Sequence, residues 1–143
     1  MILLDANLLI YAVNSDAPGH KKAKAWLEAA LSGSTTVAFS WIVLLAFLRI
    51  TTRHGLFARP LRLEAALDLV DAWLVQPSAT VVHPGTRHHL ILRELLLPLG
   101  TGGNLTSDAH LAALALEHGA EIYSADADFA RFARVKWRNP LSL

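Results

Sequence analysis

Four aspartates carry the clearest chemistry in this sequence. Asp5 directly follows the short apolar run at 2–4, and Asp126 and Asp128 come after "EIYSA" (121–125). Asp108 falls in the first turn of the predicted helix "TSDAHLAALALEHG" (106–119), on its apolar face. Clustered carboxylates repel one another unless they share a proton or a cation, and their oxygens suit Mg²⁺ or Mn²⁺. If the fold brings these residues together, the sequence predicts a site for one of these ions.

Each aspartate taken alone has a simpler interpretation. A single Asp at a strand end or a helix start usually caps a helix or closes a turn. Asp128, just before "FARF", has the position of an N-cap of the last helix. Asp108 gains roughly 0.3–1 kcal/mol from the helix dipole in a first turn. What favours a shared site is that acids far apart in sequence fall where a sheet would gather them.

The elements that must position these residues alternate between short apolar strands and amphipathic helices. Pro18 is predicted in the first turn of the second helix and Ser40 at the N-cap of the third. This alternation predicts an α/β domain with a mainly parallel sheet, in which ligands bind at the carboxyl ends of the strands. No repeat or linker divides residues 1–143, which we expect to form one domain. The predicted strands are 2–4, 35–39, 79–83, 121–125 and 135–137, and the predicted helices begin near residues 7, 19, 41, 61, 84 and 106.

Composition excludes several function classes. The chain of 143 residues has no cysteine, so disulfides, zinc–thiolate sites and thiol nucleophiles are excluded. Hydrophobic residues make up 53%, but the longest uncharged apolar stretch, 37–48, is shorter than the roughly 20 residues of a membrane-spanning helix. The N-terminus lacks the basic region and cleavage site of a signal peptide. We therefore expect a soluble, cytoplasmic protein with no membrane partner.

Four segments, in this order, resemble the PIN domain of the VapC toxin type, from VapBC toxin–antitoxin pairs. They are "LLDANLLIYA", "FLRITT", "GNLTSDAHLAALALEHGAEI", and "SADADFARF" followed by "VKWRNPL". The resemblance covers nearly the whole chain. It implies a three-layer α/β/α fold around a parallel sheet and a Mg²⁺-dependent endoribonuclease, often acting on tRNA or rRNA. It also implies a cognate antitoxin as partner and a homodimer.

The same resemblance assigns roles to particular residues. The catalytic, metal-binding carboxylates of the family correspond to Asp5, Asp108 and Asp126. Positions that commonly support such a cluster are occupied here by Asn7, Ser124 and Asp128.

One position departs from the family pattern. Many PIN toxins carry a glutamate just before "FLR", and this chain has Ala46 there, with no acid between Glu28 and Glu64. Mg²⁺ needs only one or two carboxylates, so a metal site remains possible, but a second metal loses a ligand. Glu94 could replace it if its helix faces the site. The departure leaves open a second hypothesis, a catalytically weak PIN-like protein that mainly binds a partner or RNA.

Basic and histidine residues offer two further hypotheses. Arg49 and Arg53 lie four residues apart on the helical face of Ala46, so we expect them to flank the acidic pocket and bind RNA phosphates. A plain solvated basic face is the alternative. Histidine-based RNase chemistry has little support, because His88 and His89 are adjacent and no two histidines are spaced i, i+4.

Overall fold

A computed structural model describes residues 1–142 and places five short strands in one fully parallel sheet. The strand order is β3-β2-β1-β4-β5, so the first strand lies at the centre. Parallel sheets are covered on both faces, and the buried central strands "ILL" and "VAF" are accordingly almost wholly apolar. The strands are β1 (Ile2–Leu4), β2 (Val37–Phe39), β3 (Ala79–Val81), β4 (Glu121–Tyr123) and β5 (Trp137–Arg138).

Six helices connect these strands. The first four contact one another in the pairs α1–α2, α1–α3 and α3–α4, and α5 packs on α6. Right-handed crossovers place these two groups on opposite faces of the sheet, which confirms the predicted three-layer α/β/α fold. The helices are α1 (Ala6–Val13), α2 (His20–Ser32), α3 (Trp41–Thr52), α4 (Leu63–Leu74), α5 (His88–Leu96) and α6 (Thr106–His118).

The strand order creates a switch point beside β1. The chain builds β1, β2 and β3 in one direction and then crosses back to place β4 on the other side of β1. Leu4 pairs with Tyr123, so Asp5 and Ser124 leave the sheet side by side. Ligand sites of open parallel sheets occur at such a point, outside the carboxyl ends of the strands.

The core lies between the sheet and its helices. Phe39, Phe47 and Phe129 are among the largest fully buried side chains, and Trp73 packs against the first two. Trp41, at the start of α3, does not join this core, since 48% of its surface is exposed. None of the helices described in residues 1–142 has both the length and the apolar character needed to cross a bilayer.

Of three local predictions, one was confirmed in part and two were wrong. Ser40 is the N-cap of α3 as predicted, but its buried hydroxyl makes no capping bond and has no hydrogen-bond partner among residues 1–142. Pro18 precedes α2, which begins at His20. The helix predicted from Pro84 begins only at His88, since the intervening turn donates the Gly85 N–H to a side chain of α6.

Candidate metal centre

Three carboxylates converge at the carboxyl edge of the sheet. Asp108, Asp126 and Asp128 each offer an oxygen, and these oxygens all lie within 4.8 Å of one another. Opposite oxygens around Mg²⁺ are about 4 Å apart, so a small adjustment would let one cation contact all three. The donor set is all oxygen, which is the chemistry that Mg²⁺ and Mn²⁺ prefer. The arrangement therefore fits a divalent cation.

Asp108 enters this cluster from the first turn of α6. Asp108 is partly buried because its neighbours in the first two turns of α6 are core residues. These neighbours are Ala109, Leu111 and Ala112. No hydrogen bond or ion pair to its carboxylate occurs among residues 1–142. Its two oxygens are thus available to a ligand.

Asp126 and Asp128 enter the cluster from the turn after β4. Asp126 is the N-cap of a short 3₁₀ helix, Ala127–Arg131, and its Oδ1 accepts a hydrogen bond from the Asp128 amide at 2.8 Å. The cap was predicted at Asp128, which instead lies in the first turn, half exposed and 3.7 Å from the Arg131 side chain. This capping geometry turns both side chains toward Asp108.

Asp5 lies beside this cluster and is held by several hydrogen bonds. Its Oδ1 accepts from the Ala6 amide at 2.7 Å, and its Oδ2 accepts from the Ser124 hydroxyl at 2.7 Å. The Asn7 amide also donates to Oδ2 at 3.3 Å. These donors fix the carboxylate at the end of β1, where it caps α1.

Ser124 and Asn7 connect the ends of β1 and β4. The Ser124 hydroxyl accepts from the Asn7 side chain at 3.1 Å and from the Asp126 amide at 2.9 Å, while it donates to Asp5. Asn7 in turn accepts from the Ala125 amide. The structure therefore places two of the three predicted supporting residues, Asn7 and Ser124, in contact with Asp5.

One positioning residue was missed at the sequence level. The Trp137 indole donates to the Ser124 carbonyl at 3.0 Å, which ties β5 to the site. An indole N–H that is half-buried needs an acceptor, but only the strand order shows which acceptor is near.

The electrostatics of the cluster favour uptake of a cation. Burial raises the pKa of Asp5, and this effect outweighs the hydrogen bonds from Ser124 and Ala6, which lower the pKa. Burial also raises the pKa of Asp108 to about 6, and repulsion from Asp5, Asp126 and Asp128 adds to this. A cation would remove both the repulsion and the cost of burying charge.

A cavity of about 190 Å³ opens beside Asp5 and Asp108. Its other wall comes from α3 and includes Ala46 and Arg49, so one of the two predicted arginines borders the site. Arg53 is the exposed C-cap of α3 and is not part of this cavity.

Neither Glu94 nor the histidines join the site. Glu94 is exposed and its Oε2 pairs with Arg134 at 2.8 Å, so it does not replace the acid absent at position 46. His88 instead connects α5 to α6, with its Nε2 3.0 Å from His110 Nδ1 and its Nδ1 3.1 Å from Glu117 Oε1.

Comparison with known proteins shows the family of this chain. The PIN domain family model matches residues 2–135. Ribonuclease VapC37 of Mycobacterium tuberculosis is 52% identical over 143 residues, covering 100% of this chain and 99% of the relative. VapBC2 from Rickettsia felis, solved with a fragment of its promoter DNA, shares the fold at a TM-score of 0.73 and 21% identity, covering 97% of this chain and 98% of that one. VapC20 of M. tuberculosis, a sarcin–ricin loop cleaving toxin, has a TM-score of 0.69 at 21% identity. The match covers 91% of this chain and 93% of VapC20. The chain therefore belongs to the PIN-domain family of VapC ribonucleases.

Proposed function

We propose that this chain is a Mg²⁺-dependent endoribonuclease and the toxin of a toxin–antitoxin pair, with residues 1–143 forming one PIN domain. The observation that carries the proposal is the convergence of three carboxylate oxygens within 4.8 Å beside Asp5, at the switch point of a parallel sheet. Relatives named as ribonucleases support the reaction class. The RNA substrate we propose is tRNA or rRNA.

Asp5, Asp108 and Asp126 are the proposed catalytic, metal-holding residues. Asp128 joins them as a donor, and Asn7 and Ser124 support them. Bound Mg²⁺, or Mn²⁺ in its place, would lower the pKa of a bound water and neutralise charge that develops on the phosphoryl oxygens. Asp108 brings two unbonded oxygens to the cation, and Asp126 brings the oxygen that does not cap the 3₁₀ helix.

The supporting residues keep these oxygens in place while the charge around them changes. Ser124 and Asn7 hold Asp5 through donors that remain when the carboxylate is ionised. Asp126 is aligned by two hydrogen bonds, from its own amide to Ser124 and from the Asp128 amide to its Oδ1. Such an arrangement is preorganised, so little reorganisation accompanies the reaction.

The partners we propose are an RNA substrate, a cognate antitoxin and a second copy of the chain, all in the cytoplasm. Similarity to VapBC proteins supports the antitoxin. Trp41 and Leu45, one turn apart on α3 and about half exposed, provide apolar surface of the kind that a dimer covers.

A second candidate function follows from Ala46. If the site holds its metal too weakly, the chain would act mainly as a binding module for a partner or RNA. The intact cluster of Asp108, Asp126 and Asp128 favours the enzyme over this alternative.

The test is incubation of the purified, partner-free protein with total RNA and Mg²⁺. We expect discrete cleavage products that disappear with EDTA and with Asp5→Asn. Lys24→Met, on the exposed face of α2, is the control and is expected to cleave normally. Absence of cleavage by the wild type, together with retained RNA binding, would favour the binding module.

A further inference from the structure

Arg49 is placed to act in the reaction. It extends from the third turn of α3, on the same face as Ile42 and Ala46, and all three line the cavity that Asp5 and Asp108 border. α3 begins directly after β2, so this face starts at the carboxyl edge of the sheet. Arg49 therefore borders the same cavity as the Asp5 and Asp108 carboxylates.

The charge of Arg49 is not used within the part of the chain that the structure describes. It forms no ion pair within 4.0 Å, although the cavity has carboxylates on its other wall. Arg49 and the carboxylates thus line one cavity without pairing with each other, and a group attracted to both would be held between them. A phosphodiester whose anionic oxygens face Arg49 and whose remaining oxygens face a carboxylate-bound cation fits this requirement.

The positive charge of Arg49 matters here because position 46 is an alanine and offers no carboxylate for a second metal ion. Sites that hydrolyse phosphodiesters with two metals use one ion on each side of the reacting phosphate. The acids of this site all come from β1, α6 and the turn after β4, and α3 contributes none. On the α3 wall, Arg49 is the only positive charge that the cavity offers among residues 1–142.

We propose that Arg49 contacts the scissile phosphate and supplies the second positive charge of the site, which then holds one divalent cation. This inference rests on the proposed ribonuclease function. Arg and Lys clamps act on phosphoryl groups by stabilising charge that develops in the transition state. The role of Arg49 therefore differs from general attraction of RNA, which exposed basic residues elsewhere on the surface can supply.

The experiment compares Arg49→Met and Arg49→Lys with Arg53→Met, which removes the same charge one turn further along the chain. The kinetic substrate is a labelled fragment that spans the main cleavage site found in total RNA. For Arg49→Met we expect kcat to fall on the order of 100-fold with KM changed less than about threefold, and Arg49→Lys to recover about tenfold. For Arg53→Met we expect kcat to be unchanged.

Mn²⁺ binding without RNA provides a readout that is independent of activity. We expect one Mn²⁺ per wild-type chain, and about threefold tighter binding in Arg49→Met because a repelling charge is gone. Arg53→Met should bind Mn²⁺ like the wild type. Two Mn²⁺ per wild-type chain, a loss confined to KM, or equal effects of the two Met variants would overturn the inference. If the wild type cleaves RNA and only these results fail, the proposed function stands without this role for Arg49.

Discussion

At the scale of single residues, Asp108 is a carboxylate that a bound cation would stabilise. It makes no hydrogen bond or ion pair among the residues described, and Asp5, Asp126 and Asp128 all repel its charge. A charge held in this way destabilises the folded state until something neutralises it. The site is thus arranged for ligand binding at the expense of stability.

Replacing this charge should stabilise the metal-free protein. Because the pKa of Asp108 rises from 3.8 to about 6 on folding, the folded state binds its proton more tightly, and stability falls as pH increases through that window. We expect Asp108→Asn to raise the free energy of unfolding by about 1 kcal/mol at pH 7, after allowing for solvent screening at this partly exposed position. Urea unfolding in EDTA measures this. The gain should vanish near pH 4, and a gain of equal size at both pH values would show another cause.

Metal affinity should depend on pH for the same reason. A proton on Asp108 competes with the cation, so below pH 6 the Kd for Mn²⁺ should increase by up to about tenfold per pH unit. Calorimetric titration between pH 5 and 7.5 measures it. Affinity that is constant across this range would mean that Asp108 is not a ligand.

At the scale of elements, α3 begins without the capping hydrogen bond that its sequence predicts. An N-cap serine normally contributes about 1 kcal/mol, but the Ser40 hydroxyl is buried and has no partner. We therefore expect Ser40→Ala to leave the free energy of unfolding unchanged or to raise it by up to about 1 kcal/mol. Chemical denaturation tests this, and a loss of 1 kcal/mol or more would indicate that the hydroxyl does have a partner.

The contact between α5 and α6 depends on a buried histidine. His88 bonds both His110 and Glu117, and only about a tenth of the His88 and Glu117 side chains is exposed. We expect His88→Phe to lower the free energy of unfolding by about 1–3 kcal/mol, since it leaves polar partners buried. His89→Phe, at the exposed neighbour, is the control and should cost less than about 0.5 kcal/mol. Equal losses in the two variants would contradict this role.

The sequence was sufficient to predict the elements but not their contacts. Every strand and helix was predicted within a few residues, because the apolar runs are short and "TSDAHLAALALEHG" has a clear period and a terminal Gly119. The cap at Asp126, the anchoring by Trp137 and the Glu94–Arg134 pair were not predicted. These features depend on which side chains meet across the sheet, and local patterns contain no information about that.

At the scale of the whole molecule, the site is a consequence of strand order. With β1 between β2 and β4, residues more than 100 positions apart, Asp5 and Ser124, meet through one hydrogen bond. The alternation of strands and helices and the rule for parallel sheets predicted that the strand-end acids meet only if their strands are neighbours, and the strand order meets that condition. The resemblance to the PIN family added which of several acids to choose.

The net charge of the whole molecule is too small to attract RNA from a distance. A net charge of +1 gives little long-range attraction to nucleic acid, so RNA binding must rely on a few basic side chains grouped locally on the surface. RNA affinity in EDTA should therefore have a shallow salt dependence, corresponding to a few phosphate contacts. Fluorescence anisotropy between 50 and 200 mM salt measures it. A loss of affinity of 1000-fold or more over this range would contradict this expectation.

The most direct test of the central claim is RNA cleavage as a function of Mg²⁺ concentration, in wild type and in Asp108→Asn. We expect wild-type cleavage to be absent in EDTA and to saturate with Mg²⁺, and Asp108→Asn to be at least about 100-fold slower at every concentration. Cleavage by the variant at the wild-type rate, or wild-type cleavage that persists in EDTA, would contradict a carboxylate-held metal as the basis of the reaction.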